Sequence, residues 1–334
     1  MNMKHLVPGL AIGVVVLSTT SAFAQNVSSP ATTNRIASWL GGKNLPKLEA
    51  PQAEAYAQQH QRRPEVLLAS YQASSDRSFL REAMSNYPRD PRVALTAACA
   101  DTTPRGGPDA ARDRRQRLDT FKQVAPDNAL AYHLSARDHF KTGQPEIAEQ
   151  EVLTGLGKPV RDYAPVFIQN AEEAYRSAGY SEAEATSLAM ASLLMPHLAQ
   201  LRDVGNELVA RANGHRQSGN NALADKLLHA AVKLGAQLDR TNSFTLLEIL
   251  VGTAIQQNAL KQLDPGAALG NSGRTVQAET DRLAERRAAL RATAKDFNKL
   301  FEQMSDNEIG KYFGEQKRLG EEAADRQALA NTER

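Results

Sequence analysis

Three glycines recur along the chain at a near-constant interval. Gly143, Gly179 and Gly219 stand in the short polar turns "KTGQP", "RSAGYS" and "RQSGNN", each between two apolar runs of helical period. The first pair is 36 residues apart and the second pair 40. Reversals at such an interval, with no strand-like alternation between them, predict a series of helix–turn–helix units. Glycine lets the chain reverse, and small side chains let the two antiparallel helices approach. Ala148 and Ala224 each stand five residues after a turn glycine, and Ala136 and Ala212 seven before. The second helices then present Ala148, Val152 and Leu156, or Ala224, Leu228 and Ala231, on one face.

Prolines mark where the helices begin. Pro64, Pro91 and Pro165 each open a run with apolar residues three or four apart. Proline suits the first helical turn because its missing N–H has no partner to lose there. Five hairpins are expected between Pro64 and Leu238. Alanine, leucine, glutamate, glutamine and arginine, all strong helix formers, dominate the chain, so the fold class is all-α.

The hairpins at Gly143 and Gly219 resemble the tetratricopeptide repeat. Tyr132, Ala136, Gly143 and Ala148 fill its aromatic, small, glycine and alanine places in one unit, and Leu208, Ala212, Gly219 and Ala224 in the other. The family's leucine place holds Ser135 and Arg211, and its aromatic near the turn is His139 and His215. In the unit at Gly179, Glu172 and Glu184 take the small-residue places. The resemblance covers about residues 64–238 and implies a tetratricopeptide-like α-solenoid of about five hairpins, with another irregular α-solenoid as the second choice. It also implies protein binding in a concave groove lined by exposed residues of the first helices. Carried over place by place, that groove holds His133, Arg137, Lys141, Asn213, Arg216 and Gln217, with Arg176 from the unit between. No acidic residue is among these seven, so an acidic peptide or a C-terminal carboxylate is the expected ligand.

The flanks read differently. Lys4, the apolar stretch Leu6 to Leu17 and the small-x-small motif Ala22-Phe23-Ala24 form an export signal, predicting cleavage after Ala24, a mature N-terminus at Gln25 and a periplasmic or secreted protein. The apolar stretch is short for a membrane span, and none is expected after cleavage. The domain organisation is then a signal at 1–24, a flexible leader at 25–50, the helical repeats at 51–240 and a C-terminal helical region at 241–334. Within the last, Phe244 to Ile255 is apolar nearly all round and predicts a buried helix capped by Ser243. Val276, Leu283, Leu290, Phe297 and Met304 fall seven residues apart, a seam for a long helix packed on the array or for self-association. "SDNE" at Ser305–Glu308 is a capping box for a last helix reaching about Ala328.

Chemical signatures are sparse. With 40 basic and 38 acidic side chains the net charge of +2 argues for neither nucleic acid nor an anionic membrane surface as partner. Cys99, the only cysteine, sits among small apolar residues and reads as a buried hydrophobe. None of the seven histidines falls in a metal-ligand spacing, and no cofactor motif occurs. "GLGKP" at Gly155–Pro159 lacks the spacing of a phosphate loop. Arg112, Arg114, Arg115 and Arg117, with Arg105 before them, read as a solvated helix face, and the loop "DTTPRGGPD" is the longest turn in the array. The leading expectation is an exported, non-enzymatic helical-repeat protein that binds a protein or peptide. The alternatives are an envelope-associated hydrolase, with an acidic site between the array and the C-terminal helices, and a structural homo-oligomer.

Overall fold

The computed structural model describes residues 36, 39–40, 45–100, 108–240, 243–270 and 273–332. The export signal and most of the loop at 101–107, with Arg105, lie outside the described residues. The described residues are all-α. They contain no strand, only an isolated bridge between Ala268 and Thr275. No helix among them is long and apolar enough to cross a membrane.

Helix α1 spans Ala50–Gln59, and five hairpins follow. They are α2 (Pro64–Ser74) with α3 (Arg77–Asn86), α4 (Pro91–Cys99) with α5 (Pro108–Val124), α6 (Ala129–Lys141) with α7 (Pro145–Gly155), α8 (Ala164–Ser177) with α9 (Glu182–Ala191), and α10 (Pro196–Gln217) with α11 (Asn221–Leu238). Pro64, Pro91, Pro145 and Pro196 open their helices and Pro165 sits in the first turn of α8. The helices of each pair pack on one another. Gly143, Gly179 and Gly219 have φ of 74°, 92° and 81°, the left-handed region that glycine enters without strain. Ala136, Ala148, Ala212 and Ala224 are all fully buried.

The hairpins do not stack in sequence order. The pair α6–α7 lies directly against α10–α11, through α6 on α10 and α7 on α11. The intervening pair, α8–α9, packs instead on α2, about a hundred residues earlier, and on a C-terminal helix. Two large apolar cores result, with two smaller clusters beside them. One joins α4–α7 to α10–α11 and the C-terminal helices, and the other joins α1–α4 to α8 and α9.

The stretch expected as a flexible leader is packed in its described part. Ile36 is buried and its N–H donates to Asp306. Trp39 meets Tyr180 edge to face at 6.2 Å, and the Leu48 N–H donates to the Ala73 carbonyl at 3.0 Å. Apolar groups in that stretch cover the second core, which its polar neighbours concealed.

In the C-terminal region α12 (Leu246–Leu260) is the expected buried helix. Its cap is Thr245, which accepts from the Glu248 N–H; Ser243 instead donates to the Leu238 carbonyl. Helix α12 crosses α11 at Gly235 and Gly252, where a Cβ on either would collide with the other's carbonyl oxygen. The long helix α13 (Val276–Phe301) carries the seven-residue seam, and Val276, Leu283, Leu290 and Phe297 are all buried within the chain. Helix α13 packs on α12 and on α15 (Glu321–Thr332), so that seam is not free for self-association. The Ser305–Glu308 capping box forms, but its helix, α14 (Asp306–Leu319), stops at Gly320, whose φ of 84° turns the chain into α15. The expected last helix is therefore two.

Candidate functional site

The residues expected to line a basic groove do not share one surface. His133 is buried, with its Nε2 2.9 Å from the Gln237 side-chain oxygen on α11. Gln237 donates its own N–H to the Lys158 carbonyl at 2.9 Å, so its oxygen faces the ring and His133 donates. Burial lowers the His133 pKa to about 4, and a Cβ on Gly155 would lie 2.6 Å from the ring. This histidine is a core tie between α6, α7 and α11. Arg137 reaches Asp203 of α10 at 2.7 and 2.8 Å, and Arg216 bonds Asp225 at 2.9 Å and the Gln262 carbonyl. Both guanidinium groups are already matched within the chain, Arg137 by the neighbouring hairpin α10–α11, and Arg216, itself on α10, by α11 of its own hairpin and by the end of the helix that follows. Asn213 is half-buried, while Lys141, Arg176 and Gln217 are exposed. Arg176 rides on α8, which leaves the stack.

The arginine cluster is likewise engaged. Arg114 and Arg115 bond the buried Asp138 of α6 at 2.6 and 3.4 Å, and Arg115 also donates to Ser135 at 2.8 Å. His139 and His215 are half-buried, and His215 lies 3.9 Å from Glu149. Among the described residues, no group of three or more ligand-type side chains is arranged to hold a metal ion.

An apolar concavity lies where the two large cores meet. Its walls come from α2 (Leu68, Tyr71), α4 (Leu95, Thr96, Cys99), Phe167 of α8 and the connection from α9 to α10 (Leu193 to Met195). The space within, about 70 Å³, has room for several waters or roughly one large apolar side chain. Leu194, on the rim, is 55 % exposed, a large apolar group left in water.

One end of the cavity is polar. Asp162 and His197 both line it, with His197 Nε2 3.9 Å from Asp162 Oδ2, beyond direct hydrogen-bond reach. His197 is only 4 % exposed, and its Nε2 has no hydrogen-bond partner. Burial lowers its pKa, against the pull of Asp162. Glu248 of α12 lies near enough to feel the charge of the same carboxylate. Burial first, and the charge of Asp162 second, hold its carboxyl well above the usual carboxylate range. Glu248 Oε2 accepts from the Phe244 N–H at 2.9 Å, while Oε1 is unpartnered. Asp162 Oδ1 accepts from the Ala164 N–H at 3.0 Å. Between them Tyr163 adopts a left-handed conformation, φ 61°, a strained joint that aims Asp162 back toward α10. Cys99 is no nucleophile in this setting, because burial pushes its thiol up to about 12.

Asp162 and His197 belong to no recognisable motif; Asp162 lies in the connection before α8 and His197 in the first turn of α10, 35 residues later. Glu248 did carry a signal. A carboxylate inside a helix that is apolar all round has to be buried and answered by another polar group.

Compared with models of known families, with curated proteins and with solved structures, the chain finds no match. Its site has to be read from its own geometry.

Proposed function

We propose that this is an exported, non-enzymatic protein of tetratricopeptide-like hairpins that binds a polypeptide partner. The contact is the cavity between the two cores, rather than a basic groove. The observation that carries this reading is the apolar cavity opening beside the exposed Leu194. An apolar side chain entering it would leave water, and the surrounding helices would hold it without ordering a loop. Export is inferred from Lys4, the apolar stretch and Ala22-Phe23-Ala24. The test is capture from an envelope extract by the wild-type chain and by Leu194→Arg in parallel, with the intact mass of the exported form read for a start at Gln25. A partner retained by the wild type and reduced at least tenfold by the variant is expected. Equal capture by both would remove the cavity as the contact.

A hydrolase is the second reading, favoured by one observation. Burial and the Asp162 charge beside it raise the Glu248 carboxyl into the range where it favours its protonated form, a pattern that also serves acid–base chemistry. Turnover of an envelope polymer that disappears in Glu248→Gln would replace the binding reading.

A further inference from the structure

Helix α13 rests on the rest of the chain along a thin line. Five of its 26 residues, Val276, Glu279, Leu283, Leu290 and Phe297, are buried, against eight of 15 in α12. A helix on a globular body commonly buries about three residues in every two turns, and α13 between Leu283 and Phe297 buries about one. Most of its circumference is therefore in water. At about 100° per residue, the side opposite the buried line carries Asp281, Ala284, Ala288, Ala292 and Lys295, all exposed. Alanine leaves the backbone accessible, so a second helix could approach to an axial distance of about 8 Å. Charge is divided about Ala288. Asp281 and Glu285 lie toward the N-terminus, and Arg291 and Lys295 toward the C-terminus. Among the described residues, Glu285, Arg291 and Lys295 take part in none of the ion pairs of α13, which engage Glu279, Arg282, Arg286, Asp296 and Lys299.

A helix face with this pattern complements its own reverse. Laid antiparallel on a second copy with Ala288 facing Ala288, Ala284 faces Ala292 and Asp281 faces Lys295. Twofold symmetry repeats each of these unlike pairs. A parallel copy in register would instead set Asp281 on Asp281 and Lys295 on Lys295, which repel. We propose that the outer face of α13 binds a second copy of this chain, antiparallel, about a twofold axis at Ala288. The seven-residue seam is covered within the chain, and the face behind it makes the contact between copies. None of these residues lines the apolar cavity, so the proposal goes beyond the cavity reading and either can fail alone.

The experiment is sedimentation equilibrium of the purified protein at neutral pH and low salt. The wild type is expected to dimerise at micromolar concentration. Asp281→Lys and Lys295→Asp should each weaken the dimer by about tenfold, because each sets like charges opposite one another. The double variant restores unlike pairs and should recover the wild-type affinity, which a misfolded chain would not. Ala288→Glu places a carboxylate on the axis against its own copy and should weaken the dimer by about tenfold or more. Under a mild oxidant Ala288→Cys should form a covalent dimer, set against the wild type, whose only thiol is Cys99. Ala278→Cys should not, because antiparallel copies of that position lie about 30 Å apart along the helix. A wild type that stays monomeric at about 0.1 mM overturns the proposal, and so does a dimer that Ala288→Glu and both charge reversals leave unchanged. Failure of the double variant to recover, or cross-linking through Ala278→Cys in preference to Ala288→Cys, overturns the antiparallel pairing.

Discussion

The hairpins turning at Gly143 and Gly219 lie against each other, while the one turning at Gly179, between them in sequence, does not. Their turns are alike, all left-handed. The difference lies in the helices. Where the stacked pairs carry the buried alanines 136, 148, 212 and 224, the displaced pair carries Glu172 and Glu184. Glu172 is buried and bonded to Lys317 of α14 at 2.5 Å, and Glu184 closes the capping box at Ser181. Beside them Ala183 of α9 faces Gly310 of α14 closely enough that a Cβ on Gly310 would lie 2.5 Å from its own. The turn decides that two helices pair. The residues on the helix faces decide what that pair then packs on. A glutamate in a small-residue place excludes a neighbouring hairpin and requires a cation, which α14 supplies.

The sharpest way to break this division is Gly310→Val. Its side chain would wedge α14 away from α9, and overpacking a close helix contact costs roughly 3 kcal/mol. Native-state hydrogen exchange should show α8, α9 and α14 losing protection while α6, α7, α10 and α11 keep theirs. Uniform loss across all hairpins would mean that the displaced pair is not a separate unit.

A smaller effect should appear in pH dependence, again confined to the C-terminal pair that supports the displaced hairpin. Asp325 of α15 is buried and accepts from the Tyr312 hydroxyl at 2.7 Å. Burial first, then the Tyr312 hydrogen bond working against it and the charges of Glu321 and Glu322 with it, brings its pKa up to about 7. An unfolded aspartate titrates near ~4. Between these values the folded chain holds a proton that the unfolded chain has released. The contribution of Asp325 is therefore fully present below about pH 4 and is lost as pH rises through 7. Asp76, Asp90 and Glu279, whose pKa values are lowered, act in the opposite sense, so the informative quantity is a difference between variants. Asp325→Asn cannot lose that proton. It should match the wild type near pH 4 and be more stable at pH 8 in denaturant melts, by no more than the ~4 kcal/mol that a shift of about three pH units allows. The same offset at both pH values would mean that the carboxyl is ionised throughout.

The elements were legible and their arrangement was not. Proline openings, glycine turns, the apolar helix around Glu248 and the Ser305 capping box are local signals, read from residues within one helical turn of each other. The pairing of α2 with α8, or of α9 with α14, depends on faces far apart in the chain, and a single sequence carries no record of their complementarity. The seven-residue seam was visible as a seam, but periodicity does not say whether its cover comes from the same chain. The groove residues failed for a related reason. From the sequence Arg137 and Arg216 read as exposed, because their carboxylate partners, Asp203 and Asp225, lie on another helix or past a turn. The polar end of the cavity was the least legible part, since Asp162, His197 and Glu248 meet only after the two cores come together.

The finest test of the comparison is at the turns themselves. If turn and stacking are separate, valine should cost the same at Gly179 as at Gly219, although one hairpin is displaced and the other stacked. Both glycines have positive φ, 92° and 81°, and at neither would a Cβ meet another atom within 4 Å. The penalty is then backbone strain without collision, roughly 1–3 kcal/mol for a branched residue held in that region. Alanine, which lacks the branch, should cost about 1 kcal/mol at either position. Thermal melts of the four single variants compare them directly. Matching losses at the two sites would support a turn that acts independently of what its hairpin packs on. A much larger loss at Gly219 would show that the turn and the α6–α7 against α10–α11 contact depend on each other. An unchanged midpoint at either site would mean that the local turn relaxes to accommodate a side chain, and that the left-handed geometry is not what reverses the chain there.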